Sequence, residues 1–354
     1  MKKFLIGIIF SFFIFIGICS LSFCENLYPI NDKNGGGYIN KDGVIVLKQE
    51  YNFAGKFIGD YAIVQNKKLK EGIIDKKGNV VVDFEYDDLC NLSENFVIYK
   101  ENRKCGYIDI VKNEKAKAIY EYIKVFKEGL AAVCIDGKWG FINKKGELII
   151  EPKYYSVSDF SQGLAAVSYY SHKTDGYINK KGKIVISFED NYLEPKEFSE
   201  GLVPVIKEKD EGCSYINKKG KVVIDKNKIN PIISYCSPFC EGLAVFYAYN
   251  DKKTVTTGFM DKKGKIKYAI TFFIPKNLEQ DEFYVFENFS SSMAQITIDY
   301  KTGYINNKFE LVIPPIYEFA RDFDGDLAYV KYEDIEGYIN KKGQWVWYKD
   351  REGM

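Results

Sequence analysis

The stretch Lys138-Trp139-Gly140-Phe141-Ile142-Asn143-Lys144-Lys145-Gly146 decides the fold, because the chain writes it nine times. Heptads aligned with Gly140 begin at Gly37, Gly72, Gly106, Gly140, Gly176, Ser214, Gly258, Gly303 and Gly337, at spacings of 35, 34, 34, 36, 38, 44, 45 and 34 residues. The second slot is aromatic in eight copies, with Ile73 the exception, and the third is Ile in eight, with Met260 the ninth. Aromatic and β-branched residues suit a packed strand, and successive side chains leave a strand on opposite faces. Both faces are therefore apolar, which predicts a strand covered on both sides. The fourth slot is Asn or Asp in all nine copies and Gly closes seven of them. That pattern suits a turn in which the Asx side chain bonds nearby backbone and Gly accepts positive φ. Short apolar runs such as Val80-Val81-Val82 and Leu148-Ile149-Ile150 follow, so each copy reads as a hairpin. Lys112 and Phe309 replace the closing Gly in two copies, and irregular turns are expected there.

A second motif precedes every heptad but the first. Phe126-Lys127-Glu128-Gly129-Leu130-Ala131-Ala132-Val133 is a good specimen, and the fourth slot is always a turn former, from Asp60 to Asp326. One unit is thus turn, strand, loop, strand, Asx turn, strand and a connector rich in Tyr and Pro. A period near 34 residues signals a solenoid, propeller or array, and no window carries a 3.6-residue apolar period. A single unit holds too few apolar side chains to offset the entropy of ordering itself, so units must share a core with their neighbours. The expected fold is all-β, an open stack of eight full units and one partial, with a closed β-propeller as the alternative.

Met1-Lys2-Lys3 followed by an uncharged run from Phe4 to Cys24 reads as a secretory signal peptide or an N-terminal anchor over residues 1–24. Cleavage fits after Cys19 or Cys24, and lipidation at either cysteine is weakened by Ile18 and Phe23 before them. Residues 25–36 read as a polar leader, 37–348 as the repeat array with Trp345-Val346-Trp347-Tyr348 its last strand, and 349–354 as a polar tail. The bulk of the chain is expected outside the cytoplasm, in the periplasm, at the cell surface or secreted, touching a membrane only through an uncleaved or lipidated N-terminal segment.

A net charge of +1 and a basic set dominated by lysine argue against nucleic-acid binding; Arg103, Arg321 and Arg351 are the only arginines. Six cysteines lie beyond the signal region: Cys90, Cys105, Cys134, Cys213, Cys236 and Cys240. They occupy no fixed slot, so they are not the framework of the fold; a Cys236–Cys240 bridge and isolated small hydrophobes are both open readings.

No catalytic, cofactor or metal residue is assigned. His172, the only histidine, has Ser171 as a direct neighbour, a poor geometry for a triad. Asp322-Phe323-Asp324-Gly325-Asp326 alternates carboxylates, yet it occupies the ordinary turn slot and lacks a distal Glu for calcium. The Lys-Lys pairs at the turn tips, such as Lys144-Lys145 and Lys180-Lys181, read as solvated tips rather than a polyanion site. The 28 Tyr, 26 Phe and 3 Trp sit mostly in repeat slots and are expected to be core.

Lys138-Trp139-Gly140-Phe141-Ile142-Asn143-Lys144-Lys145-Gly146, with Phe126-x-x-Gly-Leu-Ala-x-Val upstream, resembles the bacterial WG (KWG) repeat family over nearly all of residues 37–348. The departure is that Trp fills the signature slot once; Cys105, Cys213, Thr257 and others stand there elsewhere. The resemblance implies a secreted or envelope repeat protein with a binding role and supplies no site residues. The leading functional expectation is a non-enzymatic scaffold for an unknown protein or envelope polymer, without cofactors. A glycan or cell-wall module using exposed aromatics is the alternative.

Overall fold

The structure is a computed structural model that describes residues 26–169, 174–193, 196–207, 212–229, 231–249, 254–273 and 286–350. Residues 1–25 and His172 lie outside the described residues, and so does the reading of 1–24 as a signal. Apart from one turn of 3-10 helix at Lys226–Lys228, the described elements are strands. They form nine antiparallel blades that occupy, in chain order, residues 28–51, 53–86, 89–120, 122–154, 156–187, 192–224, 235–273, 286–317 and 319–350. Blade 4 is representative: Tyr122–Ile123, Leu130–Ile135, Lys138–Asn143 and Leu148–Tyr154 pair in that order from the inner edge to the outer. The strand Ile184–Leu193 runs from the outer edge of blade 5 into the inner edge of blade 6, joining them in one sheet.

The two apolar faces of the heptad divide the work between neighbours. The second-slot aromatic faces the following blade, where it meets the Phe of the second motif: Tyr38 on Phe57, Tyr107 on Phe126, Phe141 on Phe160, Tyr177 on Phe198, Tyr215 on Phe239, Phe259 on Phe289 and Tyr304 on Phe323. Their centroids lie 4.8–5.3 Å apart in tilted or edge arrangements, which the ring quadrupoles favour. The exception explains itself, because Ile73 shares its core with Leu92, so both halves of that pair are aliphatic together. The third-slot Ile faces backward: Ile142 of blade 4 packs with Phe96 and Tyr107 of blade 3.

Nine buried clusters result, one at every joint, and the ninth decides the architecture. It joins Tyr28, Ile30 and Ile39 of blade 1 to Leu327 and Tyr338 of blade 9. An open stack of nine blades has eight joints, so the chain is a closed nine-bladed β-propeller, and the expectation of an open array is corrected. The Tyr338 hydroxyl donates to the Pro29 carbonyl at 2.9 Å, and the Tyr28 hydroxyl donates to the Asp324 carbonyl at 2.8 Å. At the rim Gly43 lies against the backbone of Val346. Closure is favoured because an open stack would leave two apolar blade faces in water.

Three local expectations also change. Tyr28–Asp32 pairs with Gly35–Ile39 within residues read as a leader, so the first hairpin does have a strand before it. Tyr28 and Pro29 stand where blade 4 has Ala131 and Ala132, which hid the motif. The turn at Phe309 is regular: its amide bonds Asn306 O at 2.8 Å and φ is +64°, the geometry of the Gly turns. Stacking of Phe309 on Tyr268, at 5.3 Å and 11°, offsets the strain of the left-handed backbone. The disulfide joins Cys213 to Cys236 across blades 6 and 7, and the Cys240 thiol instead donates to Phe289 O at 3.0 Å. Sequence separation of four favours Cys236–Cys240 on paper. The fold puts Cys240 at the turn that faces blade 8.

A further set of bonds ties the turns of successive blades together. The Glu128-Gly129 turn takes positive φ at both residues, +53° and +85°, as does each of its counterparts from Glu94-Asn95 to Ser291-Ser292. This is the two-residue hairpin geometry that favours Gly or Asn second. The first residue of each turn then captures an amide of the next blade: Glu94 from Gly129, Glu128 from Gly163, Gln162 from Gly201, Glu200 from Gly242, Glu241 from Ser292 and Ser291 from Gly325. The first lysine of the tip pair adds an ion pair to the preceding blade's Glu, as in Lys144–Glu94 at 3.0 Å, Lys180–Glu128 at 3.1 Å and Lys262–Glu200 at 2.8 Å. In blades 4 to 7 the first lysine of the pair is thus a tether to the preceding blade, Lys218 through the Gln162 carbonyl, whereas Lys76 pairs with Asp60 inside blade 2.

A pH prediction follows. Burial raises the carboxyl pKa of Glu128 and Glu200, but the lysine and backbone amides outweigh it and hold both below the usual range. A depressed folded pKa means stability that is full above the unfolded value of about 4.3 and is lost as pH falls through the folded value. Glu128→Gln keeps the acceptor, as Gln162 does naturally. Between pH 5 and 3, roughly spanning that window, its melting temperature is expected to fall less steeply than that of the parent. Identical slopes in a thermal melt series would contradict the clamp.

Candidate functional site

Repeat residues serve blade contacts, so candidates for binding lie where a copy departs from the pattern. Among the described residues, one such departure is at the seam. Blade 1 has three strands, and among the described residues nothing pairs with the inner edge of Tyr28–Asp32. Leu27, Pro29 and Asn31 stand in register with Leu130, Ala132 and Cys134, whose backbones in blade 4 face the inner strand. Here the edge is capped by side chains. Pro29 has no amide to offer and its carbonyl takes the Tyr338 hydroxyl; the Asn31 carbonyl takes Lys349 Nζ at 2.8 Å. The Asn31 side chain both donates to and accepts from the Ala54 backbone, at 3.0 and 2.8 Å, standing in for a strand. The buried Tyr28 ring lies 5.6 Å from Tyr338, filling the place that an inner-strand Phe holds at other joints.

A groove remains between the inner strand of blade 9 at Phe319–Ala320 and that of blade 2 at Phe53–Ile58. It comprises two adjoining pockets of about 470 and 440 Å³ that share Pro29, Lys56, Phe319, Arg321, Tyr329 and Tyr338. The acids on its walls are engaged: Asp324 pairs with Lys56 at 2.9 Å, Glu336 with Lys349 at 2.9 Å, and Asp322 accepts from Gln295 at 2.7 Å. Burial works to raise the Glu336 pKa, yet Lys349 and the Tyr329 hydroxyl hold it below the usual carboxyl range, so it is ionised at neutral pH. Arg321 and Lys331 have no carboxylate within ion-pair distance among the described residues. The Arg321 guanidinium lies 5.8 Å from the Phe319 ring centre and 5.9 Å from that of Tyr329. Phe53 and Phe319 keep 53% and 47% of their surface exposed.

The other features singled out in the sequence are structural. Asp322–Asp326 is the turn of blade 9, with its carboxylates facing Gln295 and Lys56. Of the Trp139 slot, Cys105 and Cys213 are buried more deeply than the Trp itself. Most aromatics are core; of the exposed ones, Phe53 and Phe319 line the same groove. Sequence reasoning missed this groove because it is made by the absence of a strand. The one signal was Arg321, an arginine in a chain that has three.

The ring defines the class of protein: a β-propeller repeat protein with no helix among the described residues long and apolar enough to cross a membrane. Six segments, residues 37–69, 72–105, 106–139, 139–169, 176–209 and 303–334, match the family described as WG containing repeat and take in more than half of the chain. The chain belongs to the WG repeat family. No curated protein matches it. Among solved structures, a crystal structure of the eukaryotic initiation factor is similar over 92% of this chain and 96% of that one, with a TM-score of 0.61 and 10% identity, a likeness of fold alone. Hsv2p of Kluyveromyces lactis aligns over 72% of this chain and 92% of its own at 12% identity, with a TM-score of 0.38, and nothing rests on it.

Proposed function

We propose that the protein is an exported, non-enzymatic binding scaffold whose cell-envelope partner enters the seam groove. The observation that carries this reading is the Arg321–Lys331 couple, without an ion-pair partner among the described residues, in the groove that the broken repeat opens at the seam. Blade-to-blade contacts account for the repeated polar residues, so the ring is a rigid frame around a non-repeated site, the arrangement suited to recognition. Among the described residues no group of His, Cys, Asp and Glu is placed to hold a metal ion. Export rests on Met1-Lys2-Lys3 and the uncharged run behind it, and places the protein in the periplasm, at the surface or in the medium.

The test is a pull-down from envelope extract with the tagged chain beside an Arg321→Ala/Lys331→Ala double variant. A partner retained by the parent at low and moderate salt and lost by the variant is the expected result. Recovery of the same set by both proteins, or of nothing specific by either, would remove the groove from the account.

A further inference from the structure

We infer that the seam groove takes an acidic sugar, a pyranose carrying a carboxylate, with Arg321 on the carboxylate and Phe53 or Phe319 against the ring. The inference rests on the reading of the groove as the partner site and names the chemistry of what enters. It starts from charge. The groove walls carry Lys56, Arg321, Lys331 and Lys349 against Asp322, Asp324 and Glu336, and the pairs Lys56–Asp324 and Lys349–Glu336 are made within the protein. That leaves Arg321 and Lys331, a fork and a point charge, against one acid, Asp322, which is held by the Gln295 amide. A guanidinium matches a carboxylate bidentately, and here it lies 5.8 and 5.9 Å from the Phe319 and Tyr329 ring centres.

Two further observations select a sugar over a peptide. An extended peptide recognises a sheet edge through backbone pairing. The edge on offer has a proline in place of one donor, and its Pro29 and Asn31 carbonyls already hold Tyr338 and Lys349. Strand addition therefore has little left to bond. The exposed rings of Phe53 and Phe319, by contrast, present flat faces of negative potential to the weakly positive C–H face of a pyranose. A volume near 470 Å³ lies within the range of small-ligand sites, which combine apolar walls with a few placed polar groups. The equivalents of Arg321 are Gly55, Cys90, Ser158, Ser237 and Glu287 in blades 2, 3, 5, 7 and 8 and lysines, Lys124 and Lys196, in blades 4 and 6, so a cation recurs in this slot but the guanidinium is found in blade 9 alone.

The test is calorimetry on the full chain held in detergent, with trigalacturonate as the acidic probe, neutral galactotriose as its uncharged counterpart and hexaglutamate as an acidic peptide. Saturable binding of trigalacturonate is expected, with galactotriose at least about tenfold weaker, since one charge-assisted pair is lost. Arg321→Ala should weaken trigalacturonate about tenfold or more, and Arg321→Lys should recover part of it without the bidentate geometry. Phe319→Ala should weaken both trisaccharides, and a thermal melt of each variant separates loss of binding from loss of fold. Equal binding of the neutral probe, binding of hexaglutamate as tight as the uronate, or an unaffected Arg321→Ala overturns the inference. So does no binding by the full chain, including the case in which its own first residues fill the groove. An envelope partner still captured through Arg321 and Lys331 would leave the scaffold reading standing while this one falls.

Discussion

Gly140→Ala is expected to destabilise the protein by about 3 kcal/mol, the upper part of the range for forcing an extra methyl into packed structure. The new Cβ would collide with Ile150 O and stand 2.8 Å from Pro152 N and 3.0 Å from the Glu151 carbonyl carbon, all of them backbone. No rotamer change relieves such a clash. In blade 4 the outer strand slips register opposite this glycine, between Trp139 and Phe141, as it does at the same place in blades 1, 2, 3 and 8, and the bulge carries the outer carbonyl over the glycine Cα. A Cβ at Gly258 would likewise collide with Tyr268 O and one at Gly337 with Trp347 O, although there the glycine pairs directly with Ala269 and Tyr348 and the register shifts one residue later. Blade 6 supplies the control. Its first slot is Ser214, and there the outer strand is only Val222–Ile224 before the chain turns into Lys226–Lys228. The Ser214 hydroxyl accepts from the Lys226 amide at 3.2 Å in the space so freed. Ser214→Ala should therefore cost about 1 kcal/mol, the worth of one hydrogen bond. Urea midpoints for the two alanine variants, read with unchanged slopes, decide it. Equal losses at 140 and 214 would remove the backbone contact from the explanation.

The contrast between those positions also marks how far the sequence could be read. Slots two and three of the heptad state plainly that a strand is covered on both faces, and the structure bears this out at Tyr177 and Ile178. What they do not state is which face meets which neighbour. Whether the last blade meets the first depends on the rotation between blades, summed over nine, and no single residue encodes that sum. Position 309 was misread because a Phe in a glycine turn is unfavourable locally, and only the Tyr268 and Phe259 rings beyond the local sequence make it tolerable. The tip lysines were half legible: their exposure follows from the turn, whereas the partner of Lys180 lies 52 residues back at Glu128. The first blade was hidden by its departures, although Leu27-Tyr28-Pro29-Ile30 keeps the register of Leu130-Ala131-Ala132-Val133. Those same departures, Tyr28 and Pro29, do the work of closing the ring without an inner strand. Beyond the rare arginine at 321, the groove could not be read, since it requires knowing that residues near 29, 53 and 321 converge.

Tyr28→Ala is the sharper test of that closure, because position 28 has opposite meanings in a ring and in a stack. At the other joints its slot holds a small residue, Ala131 in blade 4 and Ala165 in blade 5, since an inner-strand Phe fills the space. In blade 1 the Tyr28 ring itself fills it, 2% exposed, in contact with Tyr338 and sharing a core with Leu327. Its hydroxyl donates to Asp324 O and accepts from the Asp326 amide at 3.2 Å, replacing the carboxylate clamp that Gly325 cannot supply. Truncating a buried aromatic of this kind costs about 3–5 kcal/mol. In a ring the loss falls on both blades 1 and 9, so amide exchange should rise together in Gly35–Ile39 and Leu327–Tyr332. Tyr28→Phe keeps the ring packing and loses the hydroxyl bonds, for about 1 kcal/mol. An open stack would leave Tyr28 on a terminal face, where its truncation costs under about 1 kcal/mol and exchange in blade 9 stays unchanged. The joint response of two blades some 300 residues apart in sequence, with the Tyr28 hydroxyl and Asp324 in direct contact, is what only closure explains.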